Sequence, residues 1–149
     1  MEKIEIIIQH ECEYVDADII PVVPDATGKR FEVIVDTTII LPKYELEFVI
    51  EQGYISNLAS IPQRLWSIAS PLGYHWRASV IHDFLYDNPE VIDNDLKLAD
   101  TLFKDIMYTH DTKKWKVNSF YYLVSKVGYG SWFFKNIMSK FVDSPKELV

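Results

Sequence analysis

Between Tyr74 and Tyr86 the chain reads YHWRASVIHDFLY, and inside this apolar pattern a histidine is followed at once by an aspartate. Trp76, Val80, Ile81, Phe84 and Leu85 recur at helical spacing, so the stretch is predicted as a helix with one face in the core. An imidazole and a carboxylate carried into a core need partners: an unpaired buried neutral group costs about 1–3 kcal/mol, and a charge costs more. Whatever fold the chain adopts must bring hydrogen-bond or metal partners to His82 and Asp83.

The first third has a different period. Residues 4–8, 19–23, 31–40 and 46–50 are short runs rich in β-branched residues, separated by turn signals at Pro24-Asp25-Ala26-Thr27-Gly28 and Leu41-Pro42-Lys43. They predict an antiparallel β region over about 1–55. His10, Glu11 and Glu13 have metal-ligand chemistry, but polar residues near a half-buried strand are read as its solvent face.

From Gly53 small and polar residues alternate with apolar ones. Ser60 suits a helix N-cap and Pro62 a first helical turn, so a short helix is expected over about 63–69, ended at Ser70-Pro71. The free N–H groups at such a start attract anions, which makes Ser60 and the neighbouring Asn57 candidates for a ligand as well as for capping and turn formation. Asp87-Asn88-Pro89 ends the His82 helix, and Asp93-Asn94-Asp95 starts another that runs to about Tyr108. In it Leu98, Leu102 and Ile106 form one stripe and Ala99, Phe103 and Met107 a second, which puts Asp100 at the edge of the apolar arc, facing the His82 helix. Further helical spacing runs from Trp115 to Phe141, with a break at Gly128-Tyr129-Gly130. The expected fold class is α+β: an N-terminal antiparallel β region followed by a C-terminal bundle of about four to five helices over about 56–143, in one domain spanning 1–149.

Composition narrows the function. A net charge of −7 disfavours tracking along a nucleic-acid polymer, although a small anion still fits a locally positive pocket. Nine Tyr, eight Phe and four Trp suit an aromatic-lined pocket, with Trp76 and Arg64 as candidate ligand contacts. The single cysteine, Cys12, excludes an internal disulfide and a cysteine-based zinc cluster, so a divalent metal would have to use His, Asp or Glu. The N-terminal apolar run is short and flanked by acids, unlike a signal peptide or membrane span, and a soluble intracellular protein without a membrane partner is expected.

Three chemistries compete for His82-Asp83. A metal held by His82, Asp83 and carboxylates such as Asp100 or Asp87 would activate water. Without a metal, His82 would act as general acid or base with a carboxylate fixing its tautomer and Tyr86 one turn on as proton donor or ligand contact. In the third the pair is structural: His82 caps a loop carbonyl, Asp83 hydrogen-bonds backbone N–H groups of the Asn57 to Ser60 loop, and nothing is catalysed. The HD-type metal phosphohydrolases join a histidine, a His-Asp pair and an aspartate from separate helices. Here the nearest upstream histidine, His75, would lie about 10.5 Å from His82 along one helix, too far for an ordinary shared ion.

A stronger resemblance rests on Ser56-Asn57-Leu58-Ala59-Ser60-Ile61-Pro62, then Trp66, Pro71 and Gly73-Tyr74, then Ile81-His82-Asp83-Phe84-Leu85-Tyr86, and finally Ala99-Asp100 with Phe103 and Met107. In this order these motifs resemble a small phage and prophage family, domain of unknown function 1353 (DUF1353). The resemblance covers most of the chain and implies a viral or prophage origin, with a β N-terminal part and a helical C-terminal part, but no settled activity. Its recurring polar positions fall on Ser56, Asn57, Ser60, His82, Asp83, Tyr86 and Asp100. The chain departs from the family with Ser56-Asn57 where Thr-Asp is usual, and with Gln63 where an arginine commonly follows the proline, Arg64 being next. Loss of the Asp carboxylate at position 57 weakens a metal site built on it.

The expected function is that of a phage-encoded small hydrolase in the host cytoplasm, a phosphodiesterase acting on a nucleotide or cyclic-nucleotide defence signal. His82, Asp83, Tyr86 and Asp100 are its expected catalytic set, with Ser56, Asn57, Ser60, Arg64 and Trp76 as ligand contacts. A divalent metal is an open cofactor, with His82, Asp83 and Asp100 as its candidate ligands. The alternatives are a virion or tail-assembly protein in which the same residues are a clasp, and a protein that sequesters a nucleotide without cleaving it.

Overall fold

The computed structural model describes residues 3–28, 30–57 and 74–109, with positions 117, 118 and 121; for Tyr74 and His75 only the backbone is described. Six strands form two antiparallel sheets of three. One has the order β1-β4-β5, built from Ile7–Gln9, Thr37–Leu41 and Leu46–Ile50, and the other the order β2-β3-β6, built from Val22–Pro24, Phe31–Val33 and Ile55–Ser56. In the first sheet Ile39 stands opposite both Ile8 and Phe48, and Thr37 opposite Ile50, so the β-branched residues that favour strands also fill the inward face. A 3-10 turn at Pro42–Tyr44, closed by Glu45 at φ 53°, joins β4 to β5.

The run 31–40, expected as one strand, is two strands in different sheets. The break falls at Ile34–Asp36, where Thr37 Oγ1 donates to the Val35 carbonyl and the Asp36 carboxylate accepts from the Gln52 amide. Polar side chains competing for the backbone in this way end a ladder. Gly53, at φ 95°, lets the chain turn after β5 and donate from its amide to the Val33 carbonyl, which starts the approach of β6 to β3.

Helix α1 spans Tyr74–Asp87 and α2 spans Leu96–Tyr108. Between them Asn88 and a 3-10 turn at Pro89–Ile92 reverse the chain, with Asp93 and Asn94 in the left-handed region, where short polar residues are tolerated best. Asp95 caps α2 by accepting from the Leu98 amide. Both helices pack on each other and on the strands. Ile81 and Leu85 of α1 meet Leu102, Phe103 and Ile106 of α2 in a core shared with Val33, Ile39, Leu41 and Ile50. Each such side chain contributes about 1.5–3 kcal/mol by leaving water.

The expected bundle of four to five helices is not found among the described residues, which form two sheets of three antiparallel strands and two α-helices. Within those residues the two α-helices are the two that periodicity places there, and 88–95, which links them, is the reversal expected from Asp87-Asn88-Pro89 and Asp93-Asn94-Asp95. Pro89 and two left-handed residues prevent it from continuing either neighbour. The helices expected over 63–69 and 115–141 lie outside the described residues.

Candidate functional site

Helix α1 carries two polar pairs, each four residues apart and so on one helix face: His82 with Tyr86, and Asp83 with Asp87. Adjacent residues on a helix diverge by about 100°, so the two pairs address different neighbours.

The first pair faces α2. His82 Nε2 lies 2.7 Å from Asp100 Oδ1, and the Tyr86 hydroxyl donates to the same oxygen at 2.8 Å. Both His82 and Asp100 are buried, at 2% and 7% exposure. Tyr86 lies against the imidazole with ring centroids 4.3 Å apart, and Phe103 meets it edge-on at 5.7 Å. Burial, reinforced by the hydrogen bond and charge of Asp100, pushes the Tyr86 phenol well above its ordinary range, so it remains a donor. The other ring nitrogen, His82 Nδ1, is closed off from solvent and has no hydrogen-bond partner among the described residues. A buried polar atom without a partner is uncommon in a folded protein and marks a place where a ligand or water belongs.

The second pair faces the strands. Asp83 Oδ2 accepts from Ser56 Oγ at 2.6 Å and from the Asn57 amide at 3.0 Å, and Asp87 Oδ2 accepts from the Tyr54 hydroxyl at 2.6 Å. The match is geometric. Residues two apart in an extended chain are about 6.8 Å from each other, and residues four apart on a helix are separated by about 6.0 Å along its axis. Tyr54 and Ser56 thus meet Asp87 and Asp83 in antiparallel register. Phe84, between the two acids, stacks on Phe48 with ring centroids 5.3 Å apart and meets Tyr54 at a near-perpendicular 5.5 Å. Burial, then the bond to Asp87 and the charges of Asp83 and Asp87, holds the Tyr54 phenol far above its usual range.

The structure therefore brings His82, Tyr86 and Asp100 together and sends Asp83 elsewhere, with Ser56 and Asn57. A shared metal on His82, Asp83 and Asp100 does not fit this arrangement, and among the described residues no three His, Cys, Asp or Glu side chains gather as a metal site. His10 has both ring nitrogens committed locally: Nδ1 accepts from the Cys12 amide and Nε2 faces the Asp16 carbonyl. Trp76 packs on Phe31 with centroids 4.6 Å apart and lines a shallow groove with Tyr14, Ile20, Val22 and Val80. Ser60 and Arg64 lie outside the described residues. The Asn57 contact to Asp83 uses the backbone amide, so it does not depend on whether that position is Asn or Asp. Sequence reasoning missed the Tyr54–Asp87 contact, whose signal was Tyr54 two residues before Ser56 and Asp87 four after Asp83.

Fold and site together define a domain of two small antiparallel sheets and a helical hairpin, with a carboxylate, histidine and tyrosine cluster buried between the helices. The chain belongs to a family of proteins of unknown function (DUF1353), whose model matches residues 32–124. Both polar pairs and the partners named above fall in that span. No curated protein and no solved structure matches the chain. No helix among the described residues is long and apolar enough to cross a membrane.

Proposed function

We propose that this protein is a small hydrolase in which His82 is the acid–base group, with Asp100 and Tyr86 holding its ring. The observation that carries the reading is the state of the imidazole: one nitrogen is fixed by a buried carboxylate at 2.7 Å while the other is uncommitted. That arrangement fixes the orientation of the ring and leaves one nitrogen for a substrate, which is what proton transfer requires. Asp83 leaves the catalytic set and becomes the residue that ties α1 to the strands. The reaction class extends to a phosphodiester in a nucleotide or cyclic nucleotide, and the setting to a phage-encoded protein acting on a defence signal in the host cytoplasm. These finer points rest on the motif resemblance and on the aromatic-rich composition. No step is routed through a metal.

The test is incubation of the purified protein with a panel of cyclic di- and trinucleotides, with and without divalent metal, followed by chromatography. Wild type cleaves at least one, and His82→Gln, whose amide nitrogen can still donate to Asp100, folds but does not. Cleavage retained in His82→Gln removes His82 from the chemistry.

A second reading, the structural clasp, is favoured by one observation: His82 is only 2% exposed. In that case no nucleotide is cleaved or shifts the melting temperature, and His82→Ala lowers stability without any catalytic effect. Melting shifted by a nucleotide that stays intact would instead mark a sequestering protein.

A further inference from the structure

We infer that neutral His82 is held as the Nε2–H tautomer, so that Nδ1 is a lone-pair acceptor whose ligand must bring a proton donor, a hydroxyl group or a water. The inference rests on the reading of His82 as the acid–base group and specifies what that group does first.

The tautomer follows from counting donors. As a carboxylate, Asp100 has only lone pairs to offer. Its Oδ1 faces two groups, His82 Nε2 at 2.7 Å and the Tyr86 hydroxyl at 2.8 Å, and both contacts are satisfied only when each neighbour donates. Tyr86 keeps its proton, since burial and the adjacent carboxylate oppose its ionisation. It therefore supplies one donor and the imidazole supplies the other through Nε2–H. A neutral imidazole carries a single ring proton, which leaves Nδ1 unprotonated. Tyr86 and Phe103, the rings packed on the imidazole, give Nδ1 no hydrogen bond.

A lone pair excludes some ligands. A phosphate oxygen or carboxylate approaching Nδ1 meets lone pair with lone pair, so the anionic part of a substrate is not what this atom holds. A hydroxyl or water donates to it, and the proton move is then defined. The O–H bond breaks, an Nδ1–H bond forms, the electron pair stays on the oxygen as nucleophile, and the resulting imidazolium lies against Asp100. Asp100 is thus a positioning residue that acts through His82.

Long-range proton–nitrogen correlation spectra of the uniformly ¹⁵N-labelled full chain read the tautomer directly. At neutral pH the expected His82 pattern is a pyrrole-type Nε2 and a pyridine-type Nδ1, with the preference weakened in Asp100→Asn. A protonated Nδ1 in wild type, a doubly protonated ring, or a folded Asp100→Asn with an unchanged preference overturns the inference. If Asp100→Asn does not fold, the wild-type spectrum alone decides. The spectrum needs no substrate, so the two readings fail separately: an Nε2–H ring without turnover sinks the hydrolase and leaves the tautomer standing, whereas turnover on an Nδ1–H ring does the reverse.

Discussion

His82 and Asp83, neighbours in the chain, serve opposite sides of α1: the imidazole reaches Asp100 on α2, while the carboxylate reaches Ser56 and the Asn57 amide at β6. The two contacts are energetically separable. The hydrogen bonds of Asp83 and Asp100 go to different residues, so the destabilisations of Asp83→Ala and Asp100→Ala add to within about 0.5 kcal/mol, whereas His82→Ala and Asp100→Ala couple by about 0.5–3 kcal/mol. Urea unfolding of the singles and both doubles measures this. Strong coupling between Asp83 and Asp100 would show one network where the structure has two.

Tyr86 and Tyr54 each donate to an aspartate, in different surroundings. Asp100 is buried, and the loss of the Tyr86 donor in Tyr86→Phe costs about 1 kcal/mol. Asp87 is exposed, so water replaces the hydroxyl in Tyr54→Phe and the cost falls to a few tenths. Midpoints from denaturant melts rank the two, and equal costs contradict the difference in burial.

Alkaline pH weakens the fold through its tyrosines. Burial, then the hydrogen bond to Asp105, pushes Tyr44 from 10.0 up to about 12, and Tyr54 and Tyr86 shift in the same direction. A phenol whose value is higher folded than unfolded binds its proton more tightly in the folded state. Its contribution is complete below pH 10 and is lost as pH rises towards 12. Thermal melting at stepped pH falls over that window, and Tyr44→Phe flattens the fall. An unchanged slope in the variant assigns it to other groups.

Much of the helical hairpin was legible from the sequence. Pro89 and the Asp93-Asn94-Asp95 start mark its reversal, and the stripes of α2 place Asp100 towards His82 because a single amphipathic face has only one core to meet. The strand region was harder. Ile34, Val35 and Asp36 continue a β-branched run, and only the contacts of Asp36 and Thr37 with distant or local backbone divide it between two sheets. The direction of Asp83 was legible in one of the three readings, the structural one, which aimed it at the amides of the Asn57 to Ser60 loop, and the Asn57 amide does donate to it. The metal reading took adjacency in sequence for a shared site, and helix geometry turned the two side chains apart. The helix count exceeded the two that are described because it also drew on 63–69 and 115–141, which lie outside the described residues.

The arrangement of the first sheet also sets an order of assembly. β4 and β5 are joined by a short turn, whereas β1 pairs with β4 only after the whole second hairpin has intervened in the chain. Closing the short loop costs less entropy, so the β4–β5 hairpin belongs to the folding nucleus and β1 adds later. Ile50→Val should then slow refolding, and Ile8→Val should mainly speed unfolding, as the two arms of a stopped-flow chevron would show. The chain thus completes its first sheet with the strand that is synthesised first.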